Sequence, residues 1–223
     1  GAQCKSDDEV LEAASDARAL LVQYANVGAE TIAKLDKCLV IARYGIGVDI
    51  VDVNAATSEG ILVTNVPDYC LDEVADHAVA MFLMMARRLR EYDTAVREGR
   101  WHWSASGGRV GRIGEMVAGI VAYGRIGRGI AQRLKPFGPT IVVYDPYVGR
   151  EQVAEDGCKL VSFEELVRTS DVVFIQAPLT GETRHMFDDQ ALSMMKGTAL
   201  IINTARGPII DDAALYQALS TGK

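Results

Sequence analysis

Residues 119–129 read GIVAYGRIGRG. An apolar run over 117–121 leads into a turn with glycine at 124 and 127, and a helical pattern starts at Arg125. These residue types suit bringing a backbone close to a phosphate. In a dinucleotide-binding turn the first glycine permits the bend, the second admits the pyrophosphate, and the third lets the helix pack on the strand. Gly124 and Gly127 supply the second and third, and Ala122 stands in the place of the first. The N–H groups at the start of the following helix, through Arg125 and Ile126, face a phosphate with the positive end of the helix dipole. Asp145 ends a second apolar run at about the 20-residue spacing of a carboxylate that grips a ribose 2′-hydroxyl. A carboxylate there repels a 2′-phosphate, so the residues favour NAD over NADP. The plainer alternative makes Asp145 only the opening residue of an Asp145-Pro146 turn.

The rest of the chain reads as elements able to hold such a turn. Strands are expected at 19–22, 39–42 and 61–64, with helices at 7–14, 29–35 and 53–59. One long helix is expected over 71–98, where Val74, Ala78, Met81, Phe82, Met85 and Leu89 fall at three- and four-residue steps. The stretch 99–114, rich in glycine and tryptophan, reads as a crossing between two lobes. Beyond it, runs at 117–121, 140–144, 172–176 and 199–203 are apolar enough for strands covered on both faces. Helices are expected between and after them at 125–137, 151–155, 163–169, 188–195 and 211–220. Such alternation predicts parallel sheets with right-handed crossovers. No strand precedes the first helix and none follows the last, so the reading is of an α/β protein with both sheets incomplete at the ends.

Composition narrows the class. With 49% hydrophobic and 24% charged residues the chain is built like a globular protein. The net charge of −7 argues against a nucleic-acid or acidic-membrane partner. No apolar run reaches the roughly 18 residues of a spanning helix, and a cytoplasmic protein is expected. Cys4, Cys38, Cys70 and Cys158 have no paired spacing, which fits reduced, buried thiols and no metal site.

Four stretches together resemble the D-isomer-specific 2-hydroxyacid dehydrogenases. They are Tyr44-Gly45-Ile46-Gly47-Val48-Asp49, then Asn65-Val66-Pro67-Asp68-Tyr69-Cys70 running into Val74-Ala75-Asp76-His77-Ala78. The third is the glycine turn with Asp145. The fourth is Ala177-Pro178-Leu179-Thr180 with Glu182-Thr183-Arg184-His185 and Asn203-Thr204-Ala205-Arg206-Gly207. The resemblance implies a flavodoxin-like substrate lobe over 1–98, whose last helix joins the lobes, and an NAD-binding Rossmann lobe over 99–223. It implies hydride transfer between nicotinamide and a 2-oxo or D-2-hydroxy acid, with glyoxylate, hydroxypyruvate, lactate, phosphoglycerate and branched acids all open. Arg206 matches the catalytic arginine, whose planar fork holds a carboxylate and polarises the carbonyl. The amides of Ile46 and Gly47 match the other grip on the substrate carboxylate. Val74, Ala177, Pro178, Thr183, Thr204 and Ala205 match positions that line the cofactor cleft. A homodimer through the cofactor lobe is implied, with Trp101 and Trp103 near the contact.

The family's general acid–base histidine and its glutamate partner fall beyond Lys223 in family register. His77, His102 and His185 do not stand in their place, His77 being read as a packing or hydrogen-bonded residue. The expectation is therefore a fragment that does not turn over by itself. A second class of function, an NAD-sensing corepressor of the C-terminal-binding-protein branch, fits residues 65–77 as well.

Overall fold

A computed structural model gives the fold and describes residues 3–108 and 110–222. Arg109, within the expected lobe crossing, and the terminal Gly1, Ala2 and Lys223 lie outside the described residues. The chain divides into two compact units, Gly1–Tyr69 and Cys70–Lys223.

The first unit runs α1 (Asp7–Ala14), β1 (Ala19–Val22), α2 (Ala29–Ile32), β2 (Val40–Arg43), α3 (Val53–Ser58) and β3 (Leu62–Thr64). Its strands form a parallel sheet in the order β1-β2-β3, with Leu20 opposite Ile41 and Ile41 opposite Val63. Parallel pairing follows from the helix between each pair of strands, which carries the chain back to its starting edge. Val22, Val27, Ile32, Leu35, Ile41 and Ile61 pack together as its core. Two helices begin where short polar side chains satisfy free amides. Ser6 accepts from the Glu9 N–H at 3.3 Å, and Asp52 accepts from the Ala55 N–H at 2.9 Å.

The second unit opens with α4 (Leu71–Ala86) and α5 (Leu89–Arg97), then β4 (Val117–Val121), α6 (Arg125–Leu134), β5 (Thr140–Tyr144) and α7 (Arg150–Glu155). It continues through β6 (Lys159–Leu160), α8 (Phe163–Thr169), β7 (Val172–Ile175), α9 (Asp189–Met194), β8 (Leu200–Asn203) and α10 (Asp212–Thr221). The five strands are parallel in the order β6-β5-β4-β7-β8. The order reverses at β4, and a doubly wound sheet binds ligands at the carboxyl ends of its strands at such a point. All four residues of β7 are buried, as a strand covered on both faces requires. On one face Phe82, Ile130 and Leu134 meet Ile120, Val143 and Phe174, and on the other Leu166, Phe187 and Leu192 meet Val121, Val173 and Ile175. Phe82 and Phe174 lie edge to face with ring centres 5.8 Å apart. Burying each such aromatic side chain contributes about 1.5–3 kcal/mol.

Several expectations change. The single helix over 71–98 is two helices, because Arg88 between them is left-handed, with φ of 52°. The break leaves Leu89 exposed, off the stripe of Ala75, Ala78, Phe82 and Ala86 that faces the core. By its packing on α6 and β8, α4 is an element of the second unit, and the units divide between Tyr69 and Cys70. The stretch 99–114 accordingly falls within the second unit. Cys38 and Cys158 are buried, whereas Cys4 and Cys70 are only half-buried; all four are free thiols.

Candidate functional site

Strand register brings the site of the second unit together. Val121 lies opposite Tyr144 and Ile175, and Ile175 lies opposite Asn203. The next residue on each strand, Asp145, Ala122, Gln176 and Thr204, therefore stands in one row at the carboxyl edge of the sheet. The Ala122 N–H donates to the Tyr144 carbonyl at 2.9 Å, and the Gln176 N–H to the Val121 carbonyl at 2.9 Å. Gln176 and Thr204 are joined by side chains: Gln176 Nε2 donates to Thr204 Oγ1 at 2.7 Å.

The glycine turn occupies the middle of that row. Ala122 adopts φ of 71°, the left-handed conformation for which the missing first glycine is suited. Its carbonyl oxygen lies 2.3 Å from where a Cβ on residue 127 would stand, so no side chain fits at Gly127. Gly124 meets no protein atom on its open side, even with a Cβ added. It begins α6 with no side-chain cap, and Arg125 and Ile126 follow as the first helical residues. The first-turn amides of a helix lack internal acceptors, so this end presents donors and positive potential to whatever docks against it. Arg125 is exposed and Ile126 packs on the core, so backbone rather than side chain is offered here.

Asp145 is half-buried and braces the turn from β5. Its Oδ2 accepts from the Tyr123 N–H at 2.8 Å, and its Oδ1 accepts from the Tyr147 N–H at 2.8 Å. The turn reading and the ribose reading of Asp145 are thus compatible, since each carboxylate oxygen retains a second acceptor site. Tyr123 is fully buried beneath the turn, and its hydroxyl donates to Asp156 Oδ2 at 3.0 Å and lies 3.5 Å from Cys158 Sγ. Burial, then these two neighbours, pushes the Tyr123 hydroxyl well above its ordinary pKa, and burial likewise raises the Cys158 thiol. Arg128 Nε donates to the Tyr123 carbonyl at 3.3 Å. In the sequence the only signal of Tyr123 is a large aromatic between Ala122 and Gly124.

A hollow of about 840 Å³ opens beside this edge, lined by Ala122, Asp145, Ala177, Pro178 and Thr183 among others. Its wall from the β7 side is a braced loop. Thr183 Oγ1 donates to the Pro178 carbonyl at 2.6 Å and accepts from the Thr180 N–H at 2.8 Å. At the end of β8, Asn203 Oδ1 accepts from the Ala205 N–H at 3.0 Å and its Nδ2 donates to the Arg206 carbonyl at 2.8 Å. Asn203 thereby fixes the turn that carries Thr204, Ala205 and Arg206, a role the sequence signals only as an asparagine at a strand end. Arg206 is half-buried, and one guanidinium nitrogen donates to the Ala205 carbonyl at 2.9 Å. Val74 sits half-buried on the first turn of α4.

In the first unit, Ile46 and Gly47 lie in the loop after β2, where Asn65 Nδ2 donates to the Ile46 carbonyl at 2.8 Å. The histidines lie apart from the row. His77 is exposed on α4, which corrects the packing half of its reading as a packing or hydrogen-bonded residue. His102 is exposed, with Nδ1 2.7 Å from Ser104 Oγ. His185 has φ of 54°, and its Nδ1 lies 3.4 Å from Asp211 Oδ2. The Ala214 and Ala213 amides and then His185 hold the Asp211 carboxyl below the usual carboxylate range. Among the described residues no group of three or more His, Cys, Asp or Glu could hold a metal, and no helix is long and apolar enough to cross a membrane.

The model of the NAD binding domain of D-isomer specific 2-hydroxyacid dehydrogenases matches residues 79–223. A D-3-phosphoglycerate dehydrogenase of Mycobacterium bovis is 39% identical over 216 residues, covering 96% of this chain and 40% of that protein. A glyoxylate reductase of Thermococcus litoralis is 40% identical over 202 residues, covering 88% of this chain and 61% of that one. The chain thus spans about 40% of the length of the phosphoglycerate dehydrogenases it matches. Among solved structures, a D-lactate dehydrogenase from Aquifex aeolicus complexed with NAD and lactic acid superposes with a TM-score of 0.90 at 33% identity. That likeness covers 95% of this chain and 63% of the other. The glycine turn, the strand order and these likenesses agree: the chain belongs to the D-isomer-specific 2-hydroxyacid dehydrogenase family, whose NAD-binding domain residues 79–223 match.

Proposed function

We propose that this chain forms part of an NAD-dependent dehydrogenase that moves a hydride between nicotinamide and C2 of a small 2-oxo or D-2-hydroxy acid. The observation that carries the reading is Asp145, held by the Tyr123 amide beside an uncapped helix start at Gly124. The site fits the dinucleotide: Gly124 leaves room at the turn, and Gly127 admits no side chain where helix meets strand. In this reading the amides of Gly124, Arg125, Ile126 and Gly127 hold the pyrophosphate. Asp145 accepts from the ribose, and Ala177, Pro178 and Thr183 form the wall of the hollow. Thr204, Ala205 and Val74 serve the nicotinamide end. NAD supplies the hydride chemistry when bound.

Arg206 is proposed as the catalytic arginine. Its guanidinium forks a substrate carboxylate and stabilises negative charge developing on the carbonyl oxygen, a task that a planar, permanently charged group performs without proton exchange. In the first unit the amides of Ile46 and Gly47 are proposed to donate to substrate oxygens. A homodimer in the cytoplasm is part of the same proposal, supported by the family resemblance. The relatives named above are dehydrogenases and a reductase, which favours the enzyme reading over the corepressor one.

Titration with NADH and NADPH, followed by fluorescence energy transfer from protein to nicotinamide, tests the cofactor half. NADH is expected to bind at least about tenfold more tightly than NADPH. Tighter binding of NADPH overturns the role given to Asp145. For the substrate half, the full-length protein is expected to oxidise NADH with a 2-oxo acid such as glyoxylate, and to lose that turnover on Arg206→Ala.

A further inference from the structure

The rim of the hollow carries a feature that a ribose-binding carboxylate alone does not call for. Tyr147 is 80% exposed, yet both its ends are engaged. Its N–H donates to Asp145 Oδ1 at 2.8 Å, and its hydroxyl donates to Glu182 Oε2 at 2.7 Å. One residue therefore ties the loop after β5 to the loop after β7, and Asp145, Tyr147 and Glu182 all line the same hollow. The Glu182 loop is itself fixed on either side of the glutamate, through Thr180, Thr183 and the Pro178 carbonyl. A hydrogen bond between two exposed side chains stabilises a fold very little. Its placement, rather than its strength, is what sets this one apart.

We propose that Glu182 is a second determinant of dinucleotide choice, acting with Asp145 to disfavour a 2′-phosphate, and that Tyr147 positions its carboxylate. The inference rests on reading the hollow as the adenosine end of the NAD site. A phosphate group brings close to two negative charges, whereas a 2′-hydroxyl brings none. A carboxylate held at the rim therefore costs NAD little and NADP more. Asp145 acts by direct contact, accepting a hydrogen bond that only the hydroxyl can donate. Glu182 acts by field from the opposite loop, and its exposure to water makes the effect sensitive to salt.

Binding of NADH and NADPH is measured on the unmodified protein, on Glu182→Gln, on Tyr147→Phe and on Asp145→Asn. Glu182→Gln is expected to tighten NADPH about three- to tenfold while NADH changes less than about twofold, and the gain is expected to shrink between about 0.02 M and 0.5 M salt. Tyr147→Phe keeps the charge but releases the carboxylate, so a smaller shift in the same direction is expected. An unchanged NADPH-to-NADH ratio in Glu182→Gln, alongside a shifted ratio in Asp145→Asn, overturns the proposal and leaves the cofactor assignment standing. Equal weakening of both dinucleotides by Glu182→Gln also overturns it, because a merely structural role predicts that result. If the unmodified protein binds neither dinucleotide, the reading of the hollow falls and this proposal falls with it.

Discussion

The carbonyl oxygen of Ala122 lies 2.3 Å from the point a Cβ on residue 127 would occupy, which makes Gly127 a steric requirement of the strand-to-helix turn. The obstacle is backbone, so it cannot swing aside as a flexible side chain would. Gly127→Ala must push α6 off β4, and overpacking of this kind typically costs about 1–3 kcal/mol. Urea unfolding is expected to show that loss, together with weakening of NADH by more than about tenfold as the helix start shifts. A variant as stable as the unmodified protein would remove the steric argument.

The neighbouring position runs the other way. Ala122 holds φ of 71°, and a left-handed conformation costs an L residue roughly 1–2 kcal/mol. Glycine relieves that strain but adds freedom to the unfolded chain, worth roughly 0.5–1 kcal/mol. Ala122→Gly is therefore expected to stabilise the protein by about 0.5–1 kcal/mol, with NADH affinity changed by less than about tenfold. A measured loss of stability would show that the alanine methyl makes contacts that outweigh the strain.

Tyr123 makes stability depend on alkaline pH. Its hydroxyl is buried, with a pKa raised above the ordinary value of 10.0. Below about pH 10 both folded and unfolded chains keep the proton, and the contribution is fully present. Above it the unfolded chain ionises first, so stability falls as pH rises. Comparing urea unfolding at pH 8 and pH 11, the loss is expected to be smaller in Tyr123→Phe than in the unmodified protein. At pH 8 the same variant is expected to cost about 1 kcal/mol for the hydrogen bond to Asp156. Equal pH-dependent losses in the two proteins would assign the alkaline transition to other groups.

Asn203 tests whether Arg206 works through its turn. The side chain bonds both the Ala205 amide and the Arg206 carbonyl. Asn203→Ala is expected to cost about 1–2 kcal/mol in stability. In the full-length protein it is expected to lower kcat/KM for the 2-oxo acid about tenfold or more while NADH affinity stays within about threefold. A parallel fall in NADH affinity would point to a general loosening of the sheet edge.

Thiol chemistry separates the buried cysteines from the others. Burial raises the Cys158 pKa and the residue is 7% exposed, whereas Cys70 is half-buried. Iodoacetamide at pH 8, read by peptide mass spectrometry, is expected to label Cys70 at least about tenfold faster than Cys158, because the thiolate is the reactive form. Comparable rates would show that β6 and the segment around it open readily.

Much of the second unit was legible in the residues alone. Central strands buried on both faces read as continuous apolar runs, so β4, β5 and β7 stand where 117–121, 140–144 and 172–176 were expected, with ends moved by at most one residue. The glycine turn and Asp145 were equally visible, because a tight strand-to-helix turn that admits no side chain at Gly127 leaves a mark in residue type. The break in the 71–98 helix left no such mark: it falls at Ala86-Arg87-Arg88, where neither glycine nor proline announces it. The two-residue strand β6 is too short to carry a period of its own, and it exists because β5 offers it a paired edge. Residue types along the chain thus determined the central strands and the glycine turn, since those depend on continuous burial and on local backbone freedom. Tertiary structure decided that α4 belongs with the cofactor sheet, that Tyr123 lies beneath the turn, and that Tyr147 joins Asp145 to Glu182. The packing of α4 on α6, the Tyr123–Asp156 bond and the Tyr147–Glu182 bond each join segments more than about 30 residues apart in sequence, and only the strand order and the packed core bring them together.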